Sequence, residues 1–104
     1  MLIVTTDTVP GQEIVQVIGL VKGGTVRSKH IGKDIAASFK TIVGGELNAY
    51  QEMLDEARQI AIGRMVEDAQ AQGANAIVAM RLQSSAIAQG AAEMVAYGTA
   101  VVVR

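Results

Sequence analysis

From Gly44 to Gly73 the chain reads GGELNAYQEMLDEARQIAIGRMVEDAQAQG, a long helical segment bracketed by glycines. The width of its apolar stripe limits what the chain can fold into. With Leu47 set at zero and 100° per residue, Leu54, Ala61, Met65 and Ala69 fall within about 40° of it. Tyr50 and Ala57 lie on one side, Met53 and Ile60 further round, and Ile62 on the other side. The apolar arc is roughly 200° wide, whereas a helix lying on one sheet needs somewhat more than about 100°. Glu52, Asp55, Glu56, Gln59, Glu67 and Gln70 occupy the rest. One flank of the arc therefore needs a cover. A short helix upstream is one candidate and a neighbouring subunit the other. The subunit is the stronger expectation, because each large apolar side chain left in water forgoes ~1.5–3 kcal/mol.

The rest of the chain supports that expectation. The 104 residues are expected to form one domain, residues 1–104. A domain of this size buries only about 60–65% of its unfolded surface. Half of the residues are apolar, but the only aromatics are Phe39, Tyr50 and Tyr97. The core must be built from Ala, Val, Ile, Leu and Met, which bury less per residue, and association would offset the shortfall. Nine basic and ten acidic residues are spread along the chain, for a net charge of -1. No basic patch marks a nucleic-acid partner. Cysteine is absent, which excludes disulfides and thiolate chemistry. The start, Met1 to Asp7, has no basic n-region or cleavage site and reads as a strand. No apolar stretch reaches membrane-spanning length. The expectation is a soluble cytoplasmic protein with no membrane partner.

Leu2–Val4 predicts a short strand, ended by turn chemistry up to Pro10 and Gly11. Glu13–Val21 is rich in β-branched residues and reads as a strand, with Gly19 marking a bulge or close approach. Lys22-Gly23-Gly24 interrupts it, and Thr25–Ser28 continues beyond a kink. Asp34 can cap a short helix over Ile35–Val43, ended by Gly44-Gly45. The long helix follows, Glu46–Gln72, with Gly73 as its C′ residue. Ala76–Ile87 is a strand with Val78, Met80 and Leu82 on one face and Ile77, Ala79 and Arg81 on the other. Gln89-Gly90 turns the chain into a last strand, Glu93–Val103, and the two should pair as an antiparallel hairpin. The order is ββααββ. The expected fold is α+β, an antiparallel sheet of about four strands with the long helix across one face.

Three charges interrupt the helix stripe. Arg58 falls about 20° from Leu47. Either its stem lies on apolar surface with the guanidinium in water, or it joins an ion pair across a contact, with Glu46, Glu93 or Asp34 as partners. Arg64 and Asp68, one turn apart, are expected to form an i,i+4 pair.

Several blocks carry a family resemblance: Gly11, Glu13-Ile14-Val15, Gly19, Val21 and Gly23; Arg27-Ser28 and Asp34-Ile35; Gly44-Gly45-Glu46, Tyr50, Glu56-Ala57-Arg58, Ala61 and Met65; Gly73 to Val78; and Ala96 to Val101. In order and spacing they resemble the YbjQ-like family of small, mostly bacterial proteins of unknown function. The resemblance covers nearly the whole chain. It implies a dodecin-like α+β subunit assembled with copies of itself into a ring, a pentamer. The family carries a heavy-metal-binding label, which is an inference and not an activity.

The residues give that label little support. Soft metals take Cys or Met sulfur, and zinc takes Cys, His and carboxylate. His30 is the only histidine. Met53, Met65 and Met80 sit at core-like spacing. A ring could still gather one Glu46 or Glu93 from each subunit, which suits hard cations better. No cofactor is indicated. No nucleophile constellation, P-loop or dinucleotide fingerprint can be placed. Gly44-Gly45 could cradle an anion, but Glu46 opens the helix there and would repel it. Gly98 should allow close packing of the helix or a neighbouring chain. Two function classes remain. One is a homo-oligomeric binding or scaffold protein whose subunit junctions, lined by Arg27, Glu46, Tyr50, Arg58, Glu93 and Tyr97, hold a small ligand or ion. The other is an enzyme using these Glu, Arg and Tyr groups on a small anionic substrate.

Overall fold

The computed structural model describes residues 1–27, 46–88 and 91–104. The elements are β1 (Leu2–Ile3), β2 (Ile14–Arg27), α1 (Glu46–Ala71), β3 (Ala76–Ala88) and β4 (Ala91–Val103). The expected short helix over 35–43, with Asp34 and Gly44-Gly45, and the Gln89-Gly90 turn lie outside the described residues. The strands form one sheet in the order β1-β3-β4-β2. β4 runs antiparallel to both β2 and β3. β1 lies parallel to β3, with Leu2 beside Ala76 and Ile3 beside Ile77. The α+β class holds, but the sheet is mixed where a wholly antiparallel one was expected. No short turn joins β1 to β3, so nothing local dictates their relative direction.

α1 ends as its glycine predicts. Gly73 has φ 87°. Its N–H donates to Gln70 O at 3.1 Å, and the Ala74 N–H reaches back to Ala69 O at 3.1 Å. This pair of bonds is a Schellman cap. The helix buries Ala57, Ala61, Met65 and Ala69, a narrow stripe at four-residue spacing. Three of the four are alanine, so the helix axis comes very close to the sheet. The closest point is Gly23, where a Cβ would stand 2.2 Å from Met65 N and 2.3 Å from Ala61 O. β2 therefore does not break at Gly23-Gly24, as expected from sequence. Its pairing with β4 is regular from Gly19 to Arg27, and the glycine makes room for the helix backbone. The bulge expected at Gly19 is present, with φ 136° and a register shift between Val17 and Gly19.

Arg64 and Asp68 do not pair with each other. Arg64 Nη1 donates to Gly24 O at 2.5 Å, and Asp68 Oδ2 accepts from the Lys22 N–H at 3.3 Å. Both side chains reach past the helix to the outer edge of β2 and satisfy backbone groups there. Four helix residues rise about 6 Å, close to the ~6.6 Å of two strand residues. The two contacts therefore set α1 antiparallel over β2. On that scale, the part of α1 before Ala57 runs beyond the described end of β2.

β3 carries a bulge between Val78 and Arg81, centred on Ala79 with φ 54°. The extra residue changes the face assignment expected from simple alternation. Val78 and Arg81 share the face opposite Thr99 and Tyr97, while Ile77 and Leu82 turn to the α1 face opposite Ala100 and Ala96. Gly98 accommodates this bulge, not the helix: a Cβ there would lie 2.7 Å from Ile77 Cγ2 and 3.1 Å from Val78 O.

The base of the sheet is tied together from several sides. Val9-Pro10-Gly11-Gln12 forms a type II turn, with Gly11 at φ 83° and the Gln12 N–H on Val9 O at 3.0 Å. Glu13 and Arg104 then exchange two backbone bonds of 2.9 and 3.0 Å. Asn75 mimics a strand residue: its Nδ2 donates to Val103 O at 2.9 Å, and its Oδ1 accepts from Val103 N at 2.8 Å. The core has two layers. Val21, Ile77, Met94, Ala96 and Ala100 pack under α1. On the other face, Val9 packs on Ala76, Val78, Val101 and Val103, with Val4 and Ile14 against the same cluster.

Candidate functional site: the open face of the sheet

Above that cluster the outer face has no cover among the described residues. β4 presents Thr99, Tyr97, Val95 and Glu93 in its centre. Leu20, Lys22, Gly24 and Val26 of β2 stand opposite them on one side. Val78, Arg81, Gln83 and Ser85 of β3 stand opposite on the other. Leu20 is 69% exposed, Val26 52% and Tyr97 36%, and Val17 adds 65% further down the strand. Tyr97 sits between two cations, Lys22 and Arg81, in one cross-strand row. Arg81 is held in place: its Nη1 donates to Thr5 O at 2.9 Å and Met80 O at 2.8 Å. This row sets two basic residues in register with an aromatic one, with the Arg81 guanidinium turned to the Thr5 and Met80 carbonyls.

Of the six residues expected to line a site, Tyr97 and Glu93 share this face. They are four residues apart on β4, about 13 Å along the strand. Arg27 lies at the end of β2, in register with Ala92 next to Glu93. Glu46 is the first residue of α1 and Tyr50 lies in its second turn. Arg58 is on α1, across the sheet from Tyr97. Its Nη1 pairs with Asp55 Oδ1 at 2.7 Å, three residues back on the same helix. That partner was not among those expected; Asp55 is largely in water (73% exposed), while Arg58 is partly covered (40% exposed). Such a pair is worth less than about 1 kcal/mol. One subunit therefore does not gather Arg58 with Tyr97 and Glu93. Lys22 and Arg81, which flank Tyr97, were not anticipated. Their signal lies in the β2–β4–β3 register, which depends on the bulge at Ala79.

The donor chemistry gathered by the described residues does not fit a soft metal. The chain has no cysteine and one histidine. Among the described residues, no three of His, Cys, Asp and Glu come together. Met65 is fully buried, Met94 is 8% exposed, and Met80 packs against the same core. Their sulfurs fill space under α1 and offer no open coordination site. No helix among the described residues is long and apolar enough to cross a membrane.

Fold and surface together define a small α+β protein with a helix packed onto one sheet face and exposed apolar side chains on the other. Comparison with known proteins agrees on the class and gives the family. A family model described as "Putative heavy-metal-binding" matches residues 1–104. The chain is similar to a UPF0145 protein of Clostridioides difficile, 70% identical over 102 residues, covering 98% of this chain and 91% of that protein. A UPF0145 protein of Fervidobacterium nodosum is 55% identical over 104 residues, covering 100% and 96%. Among solved structures, a DUF74-family protein of unknown function from Pediococcus pentosaceus superposes with a TM-score of 0.65. At 15% identity, with 100% of this chain and 98% of that one covered, this likeness concerns the fold alone. The chain belongs to the YbjQ-like family, whose members here carry the UPF0145 name.

Proposed function

We propose that this chain is a dodecin-like subunit of a homo-oligomeric ring, a pentamer, and that it acts as a binding or scaffold protein holding a small ligand or ion at its subunit junctions. The observation that carries this reading is the open face of the sheet. Val17, Leu20, Val26 and Tyr97 are each substantially exposed on this side of the sheet. Covering each large side chain recovers ~1.5–3 kcal/mol, which a chain short of aromatic core gains by association. The ring and its subunit number are what the family resemblance implies. A junction between copies can bring together what one copy keeps apart: Tyr97 and Glu93 on the sheet, Arg58, Tyr50 and Glu46 on α1, and Arg27 at the end of β2. With no cysteine in the chain and the Met65, Met80 and Met94 sulfurs taken up by the core, the ligand is a small polar molecule or a hard ion held by carboxylate, guanidinium and phenol groups.

Native mass spectrometry of protein purified from its own host tests both parts. The expected result is one closed species of five copies carrying a retained small molecule or hard ion. A monomer at micromolar concentration would end the ring reading. Copper or zinc retained at integral stoichiometry would overturn the donor argument.

A further inference from the structure

The two outer edges of the sheet are finished differently. Along the upper part of β2 the edge is closed, since Asp68 takes the Lys22 N–H and Arg64 takes the Gly24 carbonyl. Along β3 the edge is closed only at the base. There the Ala79 N–H donates to Thr6 O at 2.8 Å and the Met80 N–H donates to Val4 O at 3.1 Å. Beyond Arg81, from Leu82 to Ala88, no strand lies beside β3 among the described residues. The Met80 N–H points away from β4, so strand alternation turns those of Leu82 and Ser84 the same way. This stretch, Leu-Gln-Ser-Ser-Ala-Ile-Ala, holds no charge and no proline. Natural proteins guard exposed edges with lysine, proline, bulges or a cover; here lysine and proline are missing, and the one register shift falls at the far end, between Ala86 and Ala88.

A second uncharged edge lies on the lower part of β2, Ile14–Leu20, where Val15, Val17 and Leu20 are all exposed. Register shifts between Ile14 and Gln16 and between Val17 and Gly19 set this part off from the regularly paired stretch above it. The two open edges sit on opposite sides of β4 and at opposite ends of it. The β2 edge lies beside Thr99–Val103, and the β3 edge beside Ala91–Ala96.

We propose that the β3 edge at Leu82–Ala88 pairs with the lower β2 edge, Ile14–Leu20, of the next copy. This rests on the ring proposed above and names its contact. Two different edges of one chain meeting head to tail form a heterologous contact, the kind that closes into rings. Their diagonal placement shifts each copy along the strands, and a stagger of that kind is what closing a sheet requires.

The wild-type mass is measured first, then that of Ser84→Pro. The Ser84 N–H points away from β4, so proline there removes a donor from the open edge and spares the β3–β4 ladder. The expected result is an unchanged far-UV circular dichroism spectrum with the mass falling from that of the ring to that of one subunit. A Ser84→Pro ring of unchanged mass overturns the contact, including the case in which residues 28–45 of the same chain cover the edge. A wild-type monomer removes the ring itself, so the two failures read differently. If Ser84→Pro does not fold, the cysteine-free background allows a second approach. Val17→Cys and Gln83→Cys together, joined by a short bismaleimide, should give a denaturing-gel ladder up to the full subunit number. Uncrosslinked monomer overturns the contact, as does dimer formation by Gln83→Cys alone, which would mean two-fold pairing.

Discussion

On one face of the sheet α1 lies so close that Gly23 has no room for a methyl group, and Val21, Ile77, Ala96 and Ala100 are sealed from water. On the other face, one residue along β2, Leu20 is 69% exposed. The same strand thus contributes to a finished interior and to an unfinished surface. The finished face uses small residues at the contact, so it gains its stability from close approach rather than from large side chains. The open face carries the larger branched residues of β2, which need a cover to be worth anything. Subunit folding should therefore depend on the α1 face, and assembly on the other.

The largest effect should come from placing one methyl group into the closest contact. Gly23→Ala sets a Cβ against Met65 N and Ala61 O, both backbone atoms that cannot rotate aside. The helix must lift, and the expected loss is about 3 kcal/mol in urea unfolding. Gly24→Ala is the control. Its Cβ would meet only Met94 O at 3.6 Å and a Val95 methyl at 3.7 Å, ordinary contacts. It should stay within about 0.5 kcal/mol of wild type. Equal effects at the two positions would mean that α1 does not lie as described.

A second pair divides the two faces directly. Val21→Ala removes methyl groups from a fully buried site and should cost about 2 kcal/mol at any protein concentration. Leu20→Ala should change the stability of a dissociated subunit by less than about 0.5 kcal/mol. Its cost should rise as protein concentration rises, because it falls on assembly. A concentration-independent loss at Leu20 would show that the open face is covered within the chain.

Local chemistry made some of this fold readable from the sequence and left the rest unreadable. Gly73 announced its cap and Gly19 its bulge, because each needs a backbone conformation that side chains resist. The β3–β4 hairpin followed from two β-rich runs with a short link. The parallel seat of β1 did not follow, because its partner lies past the whole of β2 and α1 in sequence. Gly23-Gly24 read as a break because glycine weakens strands, and only the approaching helix reveals why it is there. Among the candidate residues, Tyr97 and Glu93 share a face because an even number of residues separates them on β4. Lys22 and Arg81 were missed because Arg81 reaches that face only through the bulge at Ala79.

That bulge yields the smallest prediction and bears on the boundary between the covered base and the open part of the outer face. Alanine carries no turn signature, yet Ala79 sits at φ 54°, where a Cβ costs ~1–2 kcal/mol. The neighbouring contacts that hold it there are the Ala79 N–H on Thr6 O and the Met80 N–H on Val4 O. Arg81 braces the same corner through the Thr5 and Met80 carbonyls. Glycine at this position would relieve the strain but lose about 0.5–1 kcal/mol to its greater freedom in the unfolded chain. The expected balance for Ala79→Gly is a gain of roughly 0.5 kcal/mol, read as a small rise in the thermal midpoint. A clear loss would mean that the alanine methyl makes a contact worth more than the strain. That contact would have to come from a neighbouring copy or from elsewhere in the chain, and repeating the measurement on the dissociated Ser84→Pro variant would tell which.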